Sequence, residues 1–209
     1  MGIQRRRLRE AILTMDLKGK KLILASNSPR RSELLSGLNV AFEVDTRNNF
    51  EERFADDIPH SQVPALMSEG KSKGFHRPLE KDEILITSDT MVLLDGLIMG
   101  KPHSREEAVQ MLKTLSGRTH EVITAVTVRD CAHCETVTDS TLVHFRALRD
   151  EEIDYYVDNF RPFDKAGAYG IQEWIGYAAI TGIDGSFYNV MGFPVHKVYE
   201  ELIKFADYG

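Results

Sequence analysis

The chain has 209 residues, 42% of them hydrophobic and 28% charged, which is enough for a core that needs no disulfide or metal staple. Its formal net charge of −6 argues against a broad non-specific nucleic-acid surface, and no apolar run approaches the roughly 20 residues that span a bilayer. The expectation is a cytoplasmic α/β protein with no membrane and no nucleic-acid partner, whose functional positive charge is local.

Residues 1–14 carry Arg5, Arg6, Arg7 and Arg9 against the one acid Glu10, and Leu8, Ala11, Ile12 and Leu13 are too broken for a secretory signal. They read as a basic, disordered extension, with a single domain over 15–209. Leu22-Ile23-Leu24-Ala25 is a short buried strand. It breaks into Ser26-Asn27-Ser28-Pro29-Arg30-Arg31, where Ser28 suits an N-cap and Pro29 the first position of a helix reaching about Leu38. Backbone N–H groups, two hydroxyls and two guanidiniums then share one place, which is the chemistry of a phosphate cradle. Ordinary capping beside a solvated arginine pair is the competing reading.

A second strand follows over 41–46, then an acidic loop over 47–60 containing Glu51, Glu52, Asp56 and Asp57. Residues 61–75 have helical spacing interrupted by Gly70 and carry Lys71. Glu83-Ile84-Leu85-Ile86-Thr87 is another buried strand, expected to end at Ser88-Asp89-Thr90. Asp95-Gly96 between apolar runs predicts a hairpin closed by Gly100-Lys101-Pro102. Ser104 and Glu107 form a capping box that opens a helix over 105–115. Residues 119–128 and 136–145 make an antiparallel pair whose turn holds Cys131 and Cys134, read as reduced thiols rather than a redox or zinc pair. After a short helix over 150–159, the glycine-rich stretch 166–192 reads as loops with close backbone approaches, and 193–205 as a closing amphipathic helix.

Four polar clusters fall at strand ends or in loops: Ser26/Ser28/Arg30/Arg31, Glu51 with Lys71, Asp89/Thr90 with Lys101, and Lys165 with Gln172. The cations suit a polyanion. The carboxylates suit a divalent cation bridging it, because Mg²⁺ is commonly held by one or two carboxylates plus substrate phosphates and water. A Walker-type loop at Gly96 to Lys101 fails on spacing and on Pro102. A serine nucleophile lacks its elbow, and the seven histidines are scattered with no recognisable base partner. Asp89 is the sharpest candidate for a general base, with a turn-capping aspartate as its rival.

Leu24-Ala25-Ser26-Asn27-Ser28-Pro29-Arg30-Arg31, Ser88-Asp89-Thr90-Met91-Val92 with Gly100-Lys101-Pro102, and Lys165 to Gln172 with Gly185 to Pro194 together resemble the ordered signatures of the Maf family of nucleotide pyrophosphatases, over about 20–202. The resemblance implies an extended, curved mixed sheet with flanking helices and two lobes around a cleft, as in Maf/Ham1-like folds. It further implies hydrolysis of a nucleoside triphosphate between the α and β phosphates with Mg²⁺ or Mn²⁺. On it, Asp89 takes the proton-acceptor position; Arg30, Thr90 and Gln172 the specificity positions of the branch acting on dTTP and UTP; and Ser26, Ser28, Arg31, Lys71, Lys101 and Lys165 the phosphate contacts. The family's Asp-Glu pair after the second strand is matched by Phe50-Glu51, so Glu51 joins Asp89 on the metal side. A homodimer is allowed. The alternatives are a pyrophosphatase for modified nucleotides such as 7-methyl-GTP, a non-catalytic nucleotide-binding regulator of septum formation, or a nucleic-acid module using the arginine-rich start.

Overall fold

The structure, a computed structural model, describes residues 15–55 and 57–208. The expected N-terminal extension and Asp56 lie outside them. In chain order the elements are β1 (Lys21–Leu24), α1 (Pro29–Ser36), β2 (Phe42–Val44), α2 (Val63–Lys73), β3 (Glu83–Leu94), β4 (Leu97–Met99) and α3 (Arg105–Leu115). There follow β5 (Thr119–Arg129), β6 (Cys134–Phe145), α4 (Asp150–Phe160), α5 (Trp174–Ala179), β7 (Ile180–Asp184), α6 (Phe187–Val190) and α7 (Val195–Asp207). No helix among the described residues is long and apolar enough to cross a membrane.

One curved, mixed sheet of seven strands organises the chain in the order β2-β1-β3-β5-β6-β7, with β4 also beside β3. β1 is parallel to β2 and β3, and the other pairings are antiparallel. The hairpin from β3 to β4 turns on Asp95 and Gly96, both at positive φ, which suits the twist of the strands it joins. Side chains alternate along β3. Ile84, Ile86, Val92 and Leu94 share the large core with Leu22 and Leu24 of β1, Leu34 and Leu35 of α1, and residues of α3, α4 and α7. The opposite face of β3 receives α2: Ser68 donates to the Thr87 carbonyl and bonds the Thr127 hydroxyl, while the Thr87 hydroxyl donates back to Ser68.

Two sequence expectations change here. The strand expected to end at Ser88-Asp89-Thr90 runs unbroken to Leu94, because β5 pairs with it continuously from Leu85 to Leu93. The stretch read as loops contains α5, β7 and α6, too short for periodicity to reveal. Cys131 and Cys134 are exposed and unbonded. His120 is buried against Tyr169, its ring Nε2 2.7 Å from the phenol oxygen, and burial pushes its pKa down to about 4. A neutral core histidine results, in keeping with a packing role.

The other edge of β3 positions the site. β1 pairs with it only as far as Ile86, and β4 begins only at Val92. Between them Thr87 to Met91 have no strand partner on that side. A fork opens in the sheet, and Asp89 and Thr90 stand in it. Ligands of open α/β sheets gather at the carboxyl ends of strands for the same geometric reason.

Candidate active site

A cleft of about 800 Å³ occupies the fork. Of the sequence-predicted site residues, Ser26, Ser28, Arg30, Arg31, Lys71, Asp89, Thr90, Lys101, Lys165 and Gln172 all line it, although they span 147 positions of the chain from the first to the last. Glu51 does not.

The loop after β1 supplies the first wall. Ser28 caps α1, accepting from the Arg31 amide at 3.5 Å, and Ser26 accepts from the Ser28 amide at 3.2 Å. Arg31 then reaches back across the fork. Its Nε donates to the Gly192 carbonyl at 2.9 Å, Nη1 to the Ser88 carbonyl at 3.0 Å and to Ser26 Oγ at 3.3 Å, and Nη2 to Thr90 Oγ1 at 3.1 Å. Four of the five N–H groups of a guanidinium are thereby committed, all to neutral oxygens. Burial lowers its pKa to about 10, against the opposing pull of Asp89. A desolvated cation without a hydrogen-bonded carboxylate leaves a standing positive field in the cleft.

Gly192 accepts from Arg31 with its carbonyl. Its φ of +101° is the left-handed side of the map that favours glycine, and an added Cβ would press on Thr90 Oγ1 at 3.2 Å. Thr90 Oγ1 lies 3.0 Å from Thr124 Oγ1, which itself donates to the Asn189 carbonyl. Thr90 therefore donates to Thr124 while accepting from Arg31. Its hydroxyl is an anchor between the sheet, α1 and the glycine-rich segment.

Asp89 projects from the other face of β3, where α2 lies. Ser68 sits on Thr87, and one turn further along α2 Lys71 meets Asp89, two residues further along β3, with Nζ 2.7 Å from Oδ1. The same Nζ is 3.0 Å from Glu52 Oε1. Lys71 therefore holds two carboxylates, and the acidic partner of Asp89 is Glu52. The expected Glu51 side chain is 75% exposed and pairs with Arg53 instead. Phe50 turns inward onto Gly70, where an added Cβ would lie 2.2 Å from its ring, and Glu52 lies two positions further on. Gly70, which interrupts the helical pattern, makes room for the ring that brings the loop in.

At the far end of the cleft Arg30 Nη1 bonds Asp164 Oδ2 at 2.9 Å, and Lys165 Nζ bonds Asp164 Oδ1 at 2.8 Å and Glu173 Oε1 at 3.1 Å. Tyr156 donates to the other Glu173 oxygen and accepts from the Gly170 amide. Sequence reasoning missed Glu52, Asp164 and Glu173, though Asp164 adjoins the Lys165 motif. The cations fall into distinct sets. Lys71, Arg30 and Lys165 each have carboxylate partners, Arg31 has neutral ones, and Lys101 makes no hydrogen bond or ion pair among the described residues. A polyanion gains most from Arg31 and Lys101.

The sequence profile described as Maf-like protein matches residues 21–205. A dTTP/UTP pyrophosphatase of Porphyromonas gingivalis (strain W83) is 48% identical over 194 residues, covering 92% of this chain and 98% of that one. A dTTP/UTP pyrophosphatase of Phocaeicola vulgatus is 48% identical over 189 residues, 90% of this chain and 98% of its own. One from Flavobacterium johnsoniae is 44% identical over 191 residues, 91% and 98% respectively. Among solved structures, a HAM1 protein from Coxiella burnetii aligns with 12% identity and a TM-score of 0.46, covering 88% of this chain and 99% of that one.

Proposed function

The chain belongs to the Maf-like family, and from that premise we propose that it hydrolyses dTTP and UTP to the nucleoside monophosphate and pyrophosphate. The observation that carries the reading is the Lys71–Asp89 pair standing in the open edge of β3, opposite the field of Arg31. Asp89 takes a proton from water. The water oxygen attacks the α-phosphorus, the bond from that phosphorus to the α,β-bridging oxygen breaks, and pyrophosphate leaves. Lys71 fixes the direction of the Asp89 carboxylate, while Ser26, Ser28, Arg31 and Lys101 receive the charge that accumulates on the leaving group. Positioning and charge neutralisation supply most of the acceleration in such chemistry.

The donor set fits a divalent cation. Glu52 and Asp89 converge on one ammonium, so the chain already gathers two carboxylates around a positive charge. No group of three or more His, Cys, Asp or Glu residues suited to a metal occurs among the described residues, and Mg²⁺ needs only one or two carboxylates when phosphates and water complete its shell. Glu52 and Asp89 would hold Mg²⁺ or Mn²⁺, and the ion would supply Lewis-acid neutralisation of phosphate oxygens. Glu52→Gln should raise the metal concentration for half-maximal turnover about tenfold, the scale of losing one ligand's support. Glu51→Gln should leave it unchanged; the opposite ranking would return the role to Glu51.

The activity itself is tested by product analysis over a panel of triphosphates. Pyrophosphate release from dTTP and UTP, with little from ATP, GTP, CTP or 7-methyl-GTP, is expected. Binding of dTTP without turnover in Mg²⁺ or Mn²⁺ would favour the regulator reading instead.

A further inference from the structure

The acidic cluster at the far end of the cleft has no part in the chemistry above, yet it fixes two of the cleft's cations. We infer that Asp164 is a specificity-determining residue that reads the N3–H of uracil and thymine. The inference rests on the dTTP/UTP reading and deepens it.

Asp164 presents an acceptor between two donors: Arg30 is bonded to one carboxylate oxygen and Lys165 to the other, at 2.9 and 2.8 Å. Its side chain is 58% exposed, whereas those of Arg30 and Lys165 are 24% and 9% exposed, so the carboxylate is the accessible member of the three. Burial pushes its pKa up, but hydrogen bonds from Lys165 and Arg30 outweigh that and hold it below the ordinary aspartate value. Gln172 also belongs to this end. A Cβ built on Gly170 would lie 3.2 Å from Gln172 Nε2 and 3.1 Å from Lys165 Cε, so the amide NH₂ and the lysine stem converge over a backbone kept bare of any side chain.

The set offers donor, acceptor, donor: Arg30 N–H, Asp164 carboxylate, and Lys165 or Gln172 N–H. The imide edge of uracil or thymine offers acceptor, donor, acceptor at O2, N3–H and O4. The two patterns match. Cytosine turns the N3 lone pair toward Asp164, adenine offers only an acceptor at N1, and guanine adds a second donor facing Lys165 and Gln172. Each mismatch leaves a polar group unpaired or opposes like partners, which costs more than a good bond gains. Charge supports the same orientation. Arg30 and Lys165 are neutralised by Asp164 and Glu173, so this end holds little attraction for phosphates, while Arg31 and Lys101 draw the tail to the other.

The test compares kcat/KM for UTP, CTP and 3-methyl-UTP in the wild-type protein and in Asp164→Asn and Asp164→Ala, with melting temperatures recorded to confirm folding. The wild type should reject 3-methyl-UTP. Asp164→Asn, whose amide can donate to a cytosine N3, should lower the UTP-to-CTP ratio at least about tenfold, the effect of one buried mismatch. Asp164→Ala should narrow the gap between UTP and 3-methyl-UTP by a similar factor. A merely structural Asp164 would lower all substrates alike, and unchanged ratios in both folded variants would overturn the inference. Failure of the wild type to turn over UTP at all would instead remove the activity on which it rests.

Discussion

Asp89→Asn should lower turnover of dTTP about 1000-fold, the range over which a positioned general base contributes, while dTTP still binds and still raises the melting temperature. The separation follows from where Asp89 stands. It is on the α2 face of β3, bonded to Lys71, whereas Arg31 and the serine loop occupy the other side of the fork. Asparagine keeps the size and still accepts from Lys71, so the fold has little to lose. It cannot take a proton from water. Pyrophosphate release by Asp89→Asn at the wild-type rate would remove Asp89 from the base role, and loss of dTTP binding with the rate would assign it to binding.

Arg31→Met should lower kcat/KM for dTTP by about 1000-fold, a magnitude typical of removing an arginine that stabilises phosphoryl-transfer charge. Its effect on stability should be much smaller, because two large contributions oppose each other. Methionine deprives the Gly192 and Ser88 carbonyls and Thr90 Oγ1 of donors, but it also removes a guanidinium that burial has already driven to a pKa of about 10. Replacement of a buried charge by an apolar side chain of similar length is often close to neutral for that reason. Arg31→Lys should recover only part of the activity: it restores charge without the fork that spans Gly192, Ser88 and Thr90. Wild-type kinetics in Arg31→Met would show that the buried charge is a frame for the cleft and nothing more.

How much of this was legible beforehand differs between fold and site. The strand before Ser26, the helix capped by Ser28, the Asp95-Gly96 hairpin and the long β5–β6 pair were readable because caps, turns and alternation are local. The run of β3 through Asp89 was not, since the continuity comes from β5, some forty positions later. The cleft residues were found as motifs, and the topology brings ten of them to one cavity. Which cation faces which acid was beyond local pattern. That Lys165 pairs with Asp164 and Glu173 shows only in three dimensions. Glu52 was beyond local pattern too: no strand or helix covers residues 49–55, so no local period decides which of Glu51 and Glu52 turns to Lys71.

In the proposed reaction water attacks the α-phosphorus, Asp89 receives the proton and pyrophosphate leaves. Hydrolysis of dTTP in ¹⁸O-labelled water, with the products separated and weighed by mass spectrometry, tests it most directly. The label should appear in dTMP and not in pyrophosphate. Label in pyrophosphate would place the attack on the β-phosphorus, and release of labelled orthophosphate with unlabelled dTDP would place it on the γ-phosphorus; either result would contradict attack at the α-phosphorus.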